Sequence, residues 1–233
     1  MDLKELGLID PRTHWYYQTK LFVLRRVLRQ YCPDLKRLVD VGSGSGFLAT
    51  ELVDFNSGQS ALCIDPNYPR ESVEHNGALR FVKHALPAEL VGTDVFLFVD
   101  VLEHVADDLG LLSQYLAGAE RGTTVVITVP AFQSMWSAHD VYLEHLRRYR
   151  VSGLVAVVER AGLSIVHRRY LFASIFPAAW MVRWFRRSRS AASDLQPVPG
   201  IVNAVLRVAL NAEHRLGWNR LFGLSILVVA KVP

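Results

Sequence analysis

The reading of this chain turns on Leu38-Val39-Asp40-Val41-Gly42-Ser43-Gly44-Ser45-Gly46-Phe47. Leu38–Val41 predicts a short buried strand, and Phe47–Phe55 predicts the helix that follows it. Between them stand three glycines at alternate positions. Glycine is required where the backbone turns sharply, or where a ligand must approach it with no Cβ in the way. Amides at the start of the following helix can then meet polar or anionic groups. The spacing is not the G-x-G-x-x-G of a dinucleotide loop, since the third glycine is Gly46 and position 47 is Phe. Asp40, two residues before the first glycine, puts a carboxylate at the strand end.

Outward from this loop, short apolar runs alternate with helical segments. Leu38–Val41, Ala61–Ile64, Leu79–Val82, Val95–Val99 and Thr123–Val129 read as strands, and Leu163–Leu171 and Leu224–Lys231 as two more. Strands that are apolar throughout are covered on both faces, which predicts a parallel sheet with helices on each side. Helix is expected from His14 to Tyr31, where Leu21, Leu24, Leu28 and Tyr31 recur at three and four residues and Pro33 stops it. Asp107–Ala119 and Ser152–Ala161 read likewise, with Asp107 or Asp108 and Ser152 as N-caps and Gly162 as a C-terminal stop. The expected organisation is one domain: an N-terminal helical cover (1–34), a binding core (35–172), a helical insertion (173–223) and a final strand (224–233).

The second strand ends in Cys63-Ile64-Asp65-Pro66, which places Asp65 nineteen residues beyond Gly46, where an acid can accept both hydroxyls of a ribose. With these residues the chain resembles the class I S-adenosylmethionine-dependent methyltransferases. The resemblance implies S-adenosyl-L-methionine as cofactor, held by Asp40, Gly42, Ser43, Gly44, Gly46, Asp65 and Pro66. It continues at Val99-Asp100-Val101-Leu102-Glu103-His104-Val105, similar to the segment after the fourth strand in many small-molecule members, and so adds Asp100, Val101, Glu103 and His104. It covers roughly residues 35–170. It implies an α/β, doubly wound, mostly parallel, seven-stranded Rossmann-like sheet with the last strand antiparallel and the insertion between the last two strands. The chain departs from the family at Lys83-His84-Ala85-Leu86-Pro87, where many members carry an acid for the adenine amine. Backbone groups of Ala85 and Leu86 are expected to serve instead. In similar methyltransferases an aromatic segment like His14-Trp15-Tyr16-Tyr17 folds over the cofactor, which assigns Trp15 and Tyr16 to the site. Packing of those rings on the sheet is the alternative.

After the fifth strand come Val129–Asp140 and then His145-Leu146-Arg147-Arg148-Tyr149, at the carboxyl end of the sheet, where ligands bind in open α/β folds. His139 is expected to take a proton from an acceptor hydroxyl, since imidazole titrates near ~6.5. Asp140, His145 and Arg148 are assigned supporting roles, and Arg147 or Arg148 can hold an anionic acceptor through a bidentate contact. The segment is similar to one in methyltransferases of cell-envelope and glycan pathways. A solvated polar loop is the alternative. No metal is assigned, because His139, Asp140 and His145 lack a diagnostic spacing.

The insertion is where the charge lies. The chain of 233 residues has a net charge of +4, yet 173–223 holds seven arginines, no lysine and only Asp194 and Glu213, a local +5 that leaves the rest at −1. A single basic patch argues against a general nucleic-acid surface. Tyr170–Val182 is nearly all apolar but is too short to span a bilayer and contains Pro177. Arg183, Arg186, Arg187 and Arg189 follow, interleaved with Trp184 and Phe185 and preceded by Trp180. Further on, Asn203, Arg207, Asn211 and Arg215 recur every four residues and leave a wide apolar helical face. Such an element can cap the acceptor site, meet an anionic membrane or pack on a second subunit. The amino-terminal residues lack an apolar signal core, and Cys32 and Cys63 read as reduced thiols, so the expected location is cytoplasmic, with the inner face of the membrane as a contact.

The composition, 51% hydrophobic and 21% charged, excludes a disordered or disulfide-framed chain. No Asn-Pro-Pro-aromatic segment follows the fourth strand, which disfavours methylation of exocyclic amines. Cys32-Pro33 precedes the core, in the wrong order for C5 methylation of a base. O-methylation of a small-molecule, glycan or lipid-linked acceptor is the expected function. A nicotinamide-dependent oxidoreductase and a non-catalytic cofactor-binding or membrane-adaptor protein are the competing classes.

Overall fold

In a computed structural model the described residues are 7–185, 196–216 and 221–233, with the side chains of 184 and 185 outside that description. Arg186, Arg187 and Arg189 of the basic run lie outside the described residues. The chain runs α1 (Trp15–Tyr31), β1 (Arg37–Val41), α2 (Phe47–Leu52), β2 (Ser60–Ile64), β3 (Ser72–Glu74), β4 (Leu79–Val82), β5 (Val95–Val99), α3 (Asp108–Leu116), β6 (Thr124–Pro130), α4 (Ala138–Tyr142), α5 (Val151–Arg160), β7 (Ser164–Leu171), α6 (Phe176–Phe185), α7 (Gly200–Leu216) and β8 (Ser225–Lys231).

All eight strands form one sheet in the order β3-β4-β2-β1-β5-β6-β8-β7. β4, β2, β1, β5 and β6 are parallel, and β8 runs antiparallel between β6 and β7. The seven expected strands are all present and the last is antiparallel, as expected. The eighth, β3, is antiparallel at the edge on β4. It is three residues long with Val73 63% exposed, so no run of buried apolar residues marks it.

Successive strand residues point to opposite faces, so a continuous apolar run supplies two cores at once. Leu38, Cys63, Leu97, Leu227 and Val229 face the core built with α1, α2 and Leu210 of α7. Val39, Val41, Ile64, Phe96, Ile226 and Val228 face the core built with Leu112 of α3 and Leu154 and Val158 of α5. Helix ends differ in detail from the expectation. Asp107 caps α3 by accepting from the Gly110 amide at 2.8 Å, and Gly162 follows α5 at φ +82. α2 stops at Leu52, and α5 starts after Arg150 without a side-chain cap, so Ser152 lies inside the helix rather than capping it.

The insertion returns to the N-terminal helix. Asn203 of α7 accepts from the Trp15 amide at 2.7 Å and donates to the Thr13 carbonyl at 2.8 Å, so it satisfies a donor at the start of α1. Buried Glu213 accepts from the Ala173 and Ser174 amides at 2.8 and 2.7 Å and ties α7 to the chain entering α6. With these residues turned inward, Ile201, Val205 and Val208 face outward at 83%, 61% and 70% exposure.

α1 is also held from below by a charge. Lys20 is 1% exposed, and its ammonium donates to the Asp100 carboxylate, which follows β5. Burial, the largest single influence, would lower the ammonium's pKa; the charges of and hydrogen bonds to Asp100 and Tyr16 together outweigh it and raise it. Removing one partner leaves the other uncompensated, and the two losses differ. Without Asp100 the ammonium, its side chain only 2% exposed, keeps the Tyr16 hydroxyl but loses its counter-charge, whereas the Asp100 side chain, 30% exposed, is more readily hydrated from the cavity if Lys20 is lost. Asp100→Ala is therefore expected to cost about 3–5 kcal/mol, and Lys20→Met less, in urea unfolding. Equal losses would show that the lysine does not carry the constraint.

Candidate functional site

The strand order reverses between β1 and β5, and a cavity of about 990 Å³ opens at the carboxyl ends of these strands. The glycine loop forms one side of it. Gly42, Gly44 and Gly46 all adopt positive φ, at +67, +54 and +70. A Cβ on Gly42 would lie 2.6 Å from Val101 Cγ2, and one on Gly46 would lie 2.3 Å from Phe81 Cε1. The loop is pressed against its own fold on that side, and its amides are tied to β2: those of Gly42 and Ser43 donate to the Ile64 carbonyl at 2.8 and 3.1 Å.

Asp65 organises this end. Its Oδ2 accepts from the Gly44 amide and its Oδ1 from the Asn67 amide, both at 2.9 Å. Each carboxylate oxygen retains capacity for a second donor, which is what a diol offers. Gly42, Gly44, Asp65 and Pro66 line the cavity. Ser43, Asp40 and Gly46 stand behind it. The Ser43 hydroxyl is 2.6 Å from that of Tyr68, and Asp40 is 2% exposed, its carboxyl pushed up to about 7 by burial and by the Asp65 charge.

Ala85 and Leu86 are not on the cavity wall. The Leu86 amide donates to Glu89 at 2.9 Å and its side chain is 68% exposed, so the structure does not bring this segment together with the rest of the expected site. The wall beyond Asp65 is instead made by Pro66, Leu111 and Tyr115. Burial, then the Asp65 charge, raises the Tyr115 phenol.

The segment after β5 carries the middle of the cavity, with Asp100, Val101, Glu103 and His104 all on its wall. Asp100 sits at φ +56, a left-handed turn that Asp tolerates better than most residues and that aims its carboxylate under α1. Burial acts to raise the Asp100 carboxyl, but Lys20 and the Thr128 hydroxyl, the latter at 2.9 Å, hold it below the usual range. Lys20 also donates to the Tyr16 hydroxyl at 2.9 Å and lies 4.7 Å from that ring's centre. Trp15 and Tyr16 both reach the cavity and also pack, with Tyr16 stacked on Phe172 at 5.3 Å. Glu103 is fully buried, and burial with the Asp100 charge raises its carboxyl well above the ordinary range.

The far end is built by α4 and the segment after it. Asp140, fully buried, accepts from His145 Nδ1 at 2.8 Å, from Arg148 Nε at 2.7 Å and from the Ser137 amide at 2.8 Å. Burial would raise its carboxyl; these donors hold it well below its ordinary value. Asp140 is thus a positioning group behind the wall, while His139, His145, Arg148 and His104 face the cavity. The His145 ring centre lies 4.7 Å from that of His104 and 6.4 Å from that of His139. Arg147 turns away, donating to the Val105 and Ala106 carbonyls at 2.9 and 2.8 Å, so Arg148 is the arginine of this pair that faces the cavity. Ile175 just before α6, Ala178, Ala179 and Val182 of α6 and Leu206 of α7 form an apolar part of the wall, and Arg183 of α6 joins it while donating to the Met135 carbonyl at 3.0 Å.

Lys20, Leu111, Tyr115 and Arg183 are cavity residues that the sequence reading did not select. Lys20 had a signal: with Tyr17, Leu21 and Leu24 it lies on the buried stripe of α1, where a charge without a partner is costly.

A family model for a methyltransferase domain matches residues 14–168. No curated protein sequence matches the chain significantly. Among solved structures, a SAM-dependent methyltransferase from Archaeoglobus fulgidus superposes with a TM-score of 0.51 at 19% identity, covering 91% of this chain and 94% of that one. A methyltransferase from Burkholderia thailandensis, solved with 1,6-didemethyltoxoflavin and S-adenosylhomocysteine, gives 0.55 at 15% identity over 93% and 80% of the two chains. The [4+2]-cyclase SpnF gives 0.58 at 14% identity over 97% and 84%, so the fold also hosts other chemistry. The family model spans most of the chain and the whole of the glycine loop, the Asp65 turn and the histidine end. The chain belongs to the methyltransferase-domain family and is a SAM-dependent methyltransferase.

Proposed function

We propose that this enzyme methylates an oxygen of a small-molecule, glycan or lipid-linked acceptor held at the histidine end of the cavity. The observation that carries the reading is the continuity of one cavity from the Gly44–Asp65 turn to His104, His139 and His145. Bound S-adenosylmethionine supplies an electrophilic methyl carbon, and transfer joins that carbon to the acceptor oxygen while the carbon–sulfur bond breaks and its electron pair stays on sulfur.

The chain's own groups do the rest. Asp65 is assigned the ribose hydroxyls, and the positive-φ glycines keep Cβ atoms out of the approach. Trp15 and Tyr16 offer aromatic faces to a cation, worth ~0.5–2 kcal/mol. Arg148 and Arg183 offer charge to an anionic acceptor, and His139 takes the acceptor's proton. Holding the acceptor in line with the methyl group supplies much of the rate by proximity.

The apolar, outward face of α7 supports a lipid-linked acceptor. Ile201, Val205 and Val208 recur at helical spacing with exposures of 83%, 61% and 70%, and Arg207 and Arg215 on the same helix are exposed. Met181 and Trp180 of α6, 54% and 44% exposed, continue the apolar surface next to the cavity wall. Among the described residues no helix is long and apolar enough to cross a membrane, so the contact is peripheral, at an anionic bilayer surface.

Calorimetric titration tests the cofactor assignment. Asp65→Ala is expected to weaken S-adenosylhomocysteine by about 1.5–3 kcal/mol, Gly44→Val to abolish binding, and NADH not to bind. Unchanged affinity in both variants removes the assignment. For the base, His139→Ala is expected to lower turnover of a methylated acceptor by ~10²–10⁴; full turnover would leave catalysis to proximity alone. Flotation with anionic vesicles is expected at low salt and to be lost at high salt, each arginine contributing ~1 kcal/mol. The same protein recovered as a dimer that ignores anionic vesicles would assign the α7 face to a second subunit.

A further inference from the structure

Glu103 presents an unresolved cost in the structure described so far. It is fully buried, and neither of its carboxylate oxygens has a hydrogen-bond partner on another residue. A buried carboxyl group with no donor costs several kcal/mol unless something else satisfies it. The positive groups whose charge reaches it are engaged elsewhere: Lys20 is paired with Asp100, and Arg148 is bound to Asp140. What does stand against it is two imidazoles. One ligand atom each of Glu103, His104 and His145 lie within 4.8 Å of one another, close enough to share one ion.

His145 is prepared for that task. Asp140, anchored by Arg148 and the Ser137 amide, can only accept at Oδ1, so the 2.8 Å contact puts the proton on His145 Nδ1. Nε2 then carries the lone pair. A carboxylate holding the remote nitrogen of a ligating histidine is the usual second layer of a metal site. The two segments are also stitched together, the Leu146 amide donating to the Glu103 carbonyl at 2.7 Å, so the three side chains share one rigid frame.

We propose that Glu103, His104 and His145 form a binding site for one divalent first-row transition-metal ion at the acceptor end of the cavity. Two imidazoles and one carboxylate suit Mn²⁺, Fe²⁺, Co²⁺ or Zn²⁺, whereas Mg²⁺ and Ca²⁺ favour all-oxygen sets. Three protein ligands on a cavity wall leave further positions for a ligand from the cavity. The site stands on its own geometry; its use in methyl transfer rests on the function proposed above. There, an acceptor hydroxyl bound at the open position would give up its proton more readily, and His139, outside the ligand set, would receive it.

Co²⁺ alone, titrated into the untagged full-length chain, tests this. The visible ligand-field bands of bound Co²⁺ are expected to appear and saturate at one equivalent, with a rise in the thermal midpoint. Glu103→Gln is expected to weaken binding by more than roughly a hundredfold, and Asp140→Asn by about ten- to a hundredfold through loss of the His145 anchor. His84→Ala, remote from the site, should leave it unchanged. Should Glu103→Gln fail to fold, His104→Asn on the same wall provides the same readout. No saturable bands in the wild-type chain, or bands undiminished in the folded ligand variants, overturns the proposal. S-adenosylhomocysteine binding to the metal-free chain is read separately, so loss of one result leaves the other standing.

Discussion

The ion pair between Lys20 and Asp100 is the contact on which the working part of this molecule depends. It joins the helix that precedes the sheet to the turn that leaves β5, and each partner makes the other tolerable in a buried place. Asp100 needs the cation because burial opposes its ionisation and the Glu103 carboxyl stands close enough for the two to repel when charged. Lys20 needs the anion because it has almost no contact with solvent. The pair fixes α1, and α1 fixes Trp15 and Tyr16 over the cavity.

Around that pair the acids of the site are sorted by surroundings. Asp40 and Glu103 have burial working against ionisation, and both are pushed upward. Burial acts on Asp100 and Asp140 too, but each faces cations and hydrogen-bond donors that together outweigh it, so both are held down. The cavity wall thereby carries a carboxyl group kept high, Glu103, next to a carboxylate kept low, Asp100. That separation is the usual physical sign of a chemical site. The histidine end follows the same logic, since Asp140 has no access to the cavity and acts by orienting His145 and Arg148.

The insertion serves the site from outside. α7 satisfies the start of α1 through Asn203 and holds the entry to α6 through Glu213, while α6 contributes apolar wall and Arg183. The polar positions spaced at four along α7 do not form one solvated stripe: Asn203 turns inward to cap, and Arg207 faces out. The apolar residues between them are left in the solvent, a cost that a membrane or a partner surface relieves.

The sequence alone was enough for the long strands of the sheet and for the glycine turn, because both depend on local rules. A buried parallel strand is apolar throughout, a tight strand–helix turn at positive φ favours glycine, and an acid that meets that turn ends the neighbouring strand. These constraints leave marks within a few residues of one another, and the seven long strands, the glycine loop and Asp65 were read from them. The edge strand β3, exposed and three residues long, leaves no such mark. The acceptor end was decided only by tertiary structure. That His104 and His145 lie side by side, that Arg147 turns to the Val105 carbonyl while Arg148 faces the cavity, and that Lys20 meets Asp100 depend on contacts between segments far apart in the chain. Side-chain packing and the balance of buried charge choose among such contacts after the fold has closed, and no spacing along the sequence encodes them.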